Sequence, residues 1–131
     1  VPALLGQRDG AGGVDTASYT MVAWIKPDAA SLTGDRFFFG QSSQGIHNGL
    51  RQNGRLHQAH WGNDHYANTI LNDTDWVHAT FVYDGAADLG TIYLNGKADS
   101  DPTAKASPNG SGNLIIGGRN GGGRLVQRFD R

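Results

Sequence analysis

The chain has 131 residues, a net charge of -1, 20 Gly and no Cys. Its length fits one domain, residues 1–131. The absence of Cys excludes disulfides and leaves the redox compartment open. With no basic run, nucleic acid is not an expected partner.

No apolar stretch approaches membrane-spanning length, so no membrane insertion is expected. The Gly has no three-residue period, which excludes collagen. All 12 acidic residues are Asp, and there is no Glu. Asp favours turns and caps, whereas Glu favours helices, so composition points to an all-β chain. Since the chain starts at Val1 rather than Met, we expect a processed chain or an excised module.

In chain order, Tyr19–Lys26 reads as a strand closed by Pro27-Asp28. Arg36–Gly40 is a short apolar run, expected to be buried on both faces. Ile46–Gln52 and Arg55–Trp61 flank Asn53-Gly54, a strong hairpin signal. Trp76–Asp84 is the longest β run, and Thr91–Leu94 enters a second turn at Asn95-Gly96. After a loose loop over Ala98–Asn113 comes Leu114–Gly117, and Leu125–Phe129 is a final partial strand. No ten-residue stretch carries a capped helical period. Short strands with frequent turns predict a sandwich or barrel.

Four blocks carry a family resemblance: Tyr19–Pro27, Trp76–Gly85, Ile92–Lys97 and Leu114–Gly117. In this order they resemble the laminin-G-like group of concanavalin A-like lectins and glucanases over roughly residues 19–118. The resemblance implies a two-sheet antiparallel jelly-roll sandwich, and a binding or adhesion module outside the cell. Members of that group usually close with a further strand, where this chain stops at Phe129-Asp130-Arg131. Either the module is cut short, or the strand comes from another segment or protomer. An open sheet edge of this kind tends to recruit a partner, so self-association is an expectation.

A two-residue turn at Asn53-Gly54 would pair Leu50 with His57 and His47 with His60. His47, Arg51, Gln58 and His60 would then share a polar outer face, with Gly49 at its centre. Asn63, Asp64 and His65 lie just beyond in an expected loop, with Trp61 beside it at the end of its strand. Together His47, Arg51, Gln58, His60, Trp61, Asn63 and Asp64 form the candidate ligand patch. A plain solvated sheet face is the alternative, and a bulge near Gly49 would swap the faces.

Three His occur in His57-x-x-His60-x-x-x-x-His65, but strand residues three apart point oppositely. Zinc therefore has no strong ligand spacing, although His47 with His60 could serve, helped by Asp64. Calcium takes oxygen ligands, and family members often hold one ion in a rim loop. Asp35, Asn63, Asp64, Asp73 and Asp75 are the loop candidates, and Asn63 and Asp64 are the pair assigned. Trp24 and Trp76 match core positions of the family strands, Trp61 is expected at the surface, and His78 is expected to be a hydrogen-bonded structural residue. Asn72-Asp73-Thr74 and Asn109-Gly110-Ser111 match the glycosylation sequon.

Without Glu, the paired carboxylates of a retaining glucanase are missing. Gly-x-Ser-x-Gly is absent, and Gly117–Gly123 lacks the Lys-Ser/Thr of a phosphate loop. The expected function is thus non-catalytic recognition of carbohydrate or a surface protein ligand. A structural subunit of a fibre, sheath or phage particle is the alternative.

Overall fold

A computed structural model describes residues 5–6, 18–28, 34–41, 45–72, 74–108 and 113–118. The expected strand at Leu125–Phe129, the chain end, most of Gly117–Gly123, Asp73 and Asn109-Gly110-Ser111 lie at least partly outside the described residues. Those residues form strands β1 (Leu5–Gly6), β2 (Tyr19–Ile25), β3 (Arg36–Gln41), β4 (His47–Leu50), β5 (Leu56–Ala59) and β6 (Asp64–Tyr66). They continue with β7 (Val77–Asp84), β8 (Leu89–Leu94), β9 (Lys97–Ala98), β10 (Thr103–Ala104) and β11 (Leu114–Ile116).

The strands make two antiparallel sheets. The first runs β1-β2-β7-β8-β10, with β9 also on β8, and the second runs β11-β3-β4-β5-β6. This is the jelly-roll sandwich expected from the sequence. Strands β6 and β10 occupy stretches expected to be loop, β9 runs from the expected Asn95-Gly96 hairpin into that loop, and all three are only two or three residues long. Segments so short carry too little alternation to stand out from a loop.

Period-2 alternation builds the core from both sheets. In β7, Val77, Ala79, Phe81 and Tyr83 point inward, facing Tyr19 and Met21 of β2. Phe38, Phe39, Leu50 and Leu56 come from the opposite sheet. The run Arg36–Gln41 is indeed buried on both faces, and a bulge explains how. Phe37 pairs with Gly49 and Phe39 with Asn48, so Phe38 is the extra residue. Phe38 and Phe39 both reach Phe81 in the core, whereas Phe37 lies on the other side, edge-on to His47 and His57.

The two Asn-Gly dipeptides turn differently. Asn95 and Gly96 both adopt positive φ (49° and 79°), giving the expected two-residue hairpin between Leu94 and Lys97. At the first dipeptide only Gly54 does, with φ 77°. The Gly54 N–H bonds Arg51 O, and the Arg51 N–H bonds Arg55 O. That is a three-residue loop, a turn followed by a left-handed glycine. Asp35 fixes it by accepting from Gln52 N–H at 3.2 Å and from the Arg51 guanidinium at 2.6 Å.

Candidate functional site

The longer turn corrects the expected register by one residue. Gly49, not Leu50, pairs with His57, and Leu50 pairs with Leu56. A one-residue slip exchanges one strand's faces relative to its neighbour. His47 and His57 therefore share the outer face, while Gln58 and His60 turn inward. The expected pairing of His47 with His60 is not made. The patch drawn from the sequence is split between the two sides of the sheet.

On the outer side, β6 adds Tyr66 opposite His57 and Asp64 opposite Ala59. The Trp61 ring lies 6.0 Å from that of His47, and the Tyr66 ring 5.3 Å from that of His57. Both histidines meet the same carboxylate. His47 Nε2 is 3.7 Å from Asp64 Oδ1, and His57 Nε2 is 3.2 Å from Asp64 Oδ2. The result is an arc from Trp61 through His47, Asp64 and His57 to Tyr66. Its ends are open, with Trp61 60% and Tyr66 41% exposed, while the two imidazoles are buried. His57 and Tyr66 are the members that the sequence reading missed, Tyr66 because its strand β6 was read as loop. Only the turn length, which Asn-Gly alone does not set, would have placed His57 there.

Burial lowers the basicity of His57, partly offset by Asp64. Contact with the His57 ring, in turn, holds the Asp64 carboxyl below its ordinary value, against an opposite push from burial. His57 Nε2, 3.2 Å from that carboxylate, is poorly aligned for a hydrogen bond, and among the described residues neither ring nitrogen of His57 has a well-aligned partner. Leaving a buried polar group unpaired costs about 1–3 kcal/mol. Arg51, half-buried at the edge of this face, is held by Asp35.

On the inner side, Gln58 and His60 belong to a polar network between the sheets. Tyr19 Oη lies 2.7 Å from His60 Nε2 and accepts from Gln58 Nε2 (3.0 Å) and Asn48 Nδ2 (3.3 Å). His60 Nδ1 faces Ala106 O at 2.7 Å. A carbonyl can only accept, so Nδ1 carries the proton and Nε2 accepts from the Tyr19 hydroxyl. Burial pushes the His60 pKa down to about 4. The same cause pushes the Tyr19 hydroxyl up. Gln58 and His60 are 0% and 3% exposed, so they do not meet an external ligand in this arrangement.

Asn63 is anchored by its own bonds. Its side-chain oxygen accepts from Ala106 N–H at 3.2 Å, and its carbonyl accepts from Lys105 Nζ. Lys105 is buried, which pushes its pKa down to about 8, and it also donates to Gln58 O at 3.1 Å. A calcium ion at the Asn63 carbonyl would compete with that ammonium. Asp35 is engaged by Arg51, and exposed Asp75 lies 3.8 Å from Lys26.

Trp24 and Trp76, expected in the core, are instead 65% and 59% exposed. Trp24 pairs with His78, in phase with Thr20, and lies edge-on to its ring at 5.1 Å. Trp76 precedes Val77 by one residue and shares the outward phase of His78. Trp61 is exposed as expected. His78 is held at its N–H by the Asn95 side chain.

A family model for the concanavalin A-like lectin/glucanases superfamily, laminin G type, matches residues 8–130. The chain belongs to this superfamily. Two solved structures share the superfamily fold. One is a provisionally assigned carbohydrate-binding protein from Bacteroides ovatus, 18% identical, with a TM-score of 0.64 over 88% of this chain and 34% of that one. The other is the mouse laminin alpha1 chain, domains LG4-5, 16% identical, with a TM-score of 0.60 over 95% of this chain and 33% of that one. This superfamily member thus spans about a third of each. A comparison with curated proteins finds no match. Among the described residues no helix is long and apolar enough to cross a membrane.

Proposed function

We propose that this domain is a non-catalytic carbohydrate-binding module, acting outside the cell as part of a longer chain. Its contact surface is the arc on the outer face of the β3–β6 sheet. The observation that carries the reading is the exposure of Trp61 and Tyr66 on either side of Asp64. An exposed aromatic face stacks on the C–H face of a sugar ring, and a carboxylate accepts from its hydroxyls. Asp64 is half-exposed and reachable, and Arg51 adds donors at the margin. The superfamily and the assignment given to the Bacteroides ovatus protein support the same ligand class. The acidic member of the arc stands with two imidazoles rather than with a second carboxylate, which suits binding better than glycoside hydrolysis.

A glycan array with Trp61→Ala and Tyr66→Ala tests the assignment. Wild type is expected to retain at least one glycan class. Each variant should lose about tenfold or more in affinity, the scale of one aromatic contact in a binding site. Trp76→Ala, on the opposite sheet, should bind as wild type does. Equal affinity in the Trp61 and Tyr66 variants, or no glycan bound by wild type, overturns the reading.

A further inference from the structure

We propose that His47, His57 and Asp64 form a binding site for a divalent transition metal of the zinc class. The inference goes beyond sugar binding and does not depend on it. Three adjacent antiparallel strands deliver the ligands: β4 gives His47, β5 gives His57 and β6 gives Asp64. One donor atom from each lies within 4.8 Å of the other two. Zinc bonds nitrogen and carboxylate oxygen at about 2.0–2.2 Å, so two tetrahedral ligands stand roughly 3.4 Å apart. His57 Nε2 lies 3.2 Å from Asp64 Oδ2 and His47 Nε2 lies 3.7 Å from Asp64 Oδ1, so the carboxylate approaches each imidazole through a different oxygen at about that spacing.

A second observation is the state of the buried His57 ring. Its ring is 0% exposed, and among the described residues Nε2, the nitrogen facing Asp64, has no well-aligned hydrogen-bond partner. Buried imidazoles are ordinarily satisfied. Here Nε2 is brought to a carboxylate oxygen at hydrogen-bond distance but out of hydrogen-bond alignment. Two ligands that share a cation meet in that way, because each points its lone pair at the ion instead of at the other.

The donor set selects the metal class. Two imidazoles and one carboxylate suit zinc and its neighbours in the first transition row, whereas calcium prefers oxygen. Three protein ligands leave a fourth position for water or a ligand atom. Asp64 is the accessible member, its side chain 31% exposed, so an ion has an entry path. The site was hidden in the sequence because His47, His57 and Asp64 have no motif spacing. The three-residue turn and the β5–β6 pairing bring them together.

The test is metal binding by the full chain after treatment with a chelator. Zinc is titrated by calorimetry, and cobalt(II) is added separately to read its visible bands. Wild type is expected to bind one equivalent, to show the absorption of a tetrahedral cobalt site, and to respond far less to calcium. Asp64→Asn, at the half-exposed position, should keep the wild-type circular dichroism and lose at least about tenfold in zinc affinity. His57→Gln should do the same, and His78→Gln should leave affinity unchanged. Absence of stoichiometric zinc binding by wild type overturns the proposal. So does a zinc affinity that Asp64→Asn and His57→Gln leave unaltered. Glycan binding enters neither readout, so the two proposals fail separately.

Discussion

Acidification should weaken this domain by a calculable amount through His60. The folded pKa of His60 is about 4, set first by burial, against about 6.5 in an unfolded chain. Its Nδ1–H is committed to Ala106 O, and its Nε2 accepts from Tyr19. Protonating Nε2 would force the Tyr19 oxygen to accept a third donor, beside Asn48 and Gln58. The folded state therefore refuses a proton that the unfolded chain takes. Between pH 6.5 and pH 4 the unfolded state binds more protons, so unfolding free energy falls as pH falls. At pH 5 the loss from this one group is about 2 kcal/mol, and over the whole window it approaches about 3 kcal/mol. Set against a domain stability of about 5–15 kcal/mol, that is a large share. Urea unfolding at pH 7.5, 6 and 5, with chelator present, measures it. His60→Gln should be less stable than wild type at pH 7.5, because the ring packs edge-on to Tyr83 at 4.7 Å. It should then lose about 2 kcal/mol less than wild type between pH 7.5 and 5. An identical pH slope in the two proteins refutes the argument, as does a His60 imidazole that titrates near pH 6.5 by NMR.

Trp76→Ala should change stability by no more than about 1 kcal/mol in thermal or urea unfolding, because the side chain is exposed. A core Trp would cost about 3–5 kcal/mol, and a loss of that size would return Trp76 to the interior. Gly90→Ala should destabilise by about 1–3 kcal/mol, read from the urea midpoint. A methyl there would stand 2.6 Å from Gln58 Oε1 and 2.8 Å from Lys105 Cγ, where the sheets approach closely. An unchanged midpoint would show that this interior yields freely.

The strands with long apolar or alternating runs were legible in the sequence. Tyr19–Ile25, Arg36–Gln41 and Val77–Asp84 fall where periodicity and β-branched or aromatic content put them. The sandwich followed from turn spacing and from the four family blocks. What escaped was phase. Asn53-Gly54 and Asn95-Gly96 are the same dipeptide, yet Asp35, eighteen positions before Asn53, holds the first turn open by one residue. Nothing local to the hairpin carries that information. The one-residue difference moved His57 out and His60 in, and so changed the membership of the candidate site. Trp24 and Trp76 show the converse. Their outward phase was written in the alternation of their own strands, with Trp24 in step with Thr20 and Trp76 in step with His78. Hydrophobic character outweighed position in the sequence reading, and the structure reverses that order.

The extra residue in β3 separates two tasks that a regular strand would bind together. Phe37 serves the histidines on one side, and Phe39 serves Phe81 on the other. Replacing Phe38 by another apolar residue would therefore disturb one side chain. Deleting it would leave odd and even positions in conflict. Either Phe37 would abandon His47 and His57, or Phe39 would leave the interior. The domain should thus tolerate a change of letter at this position far better than a change of length.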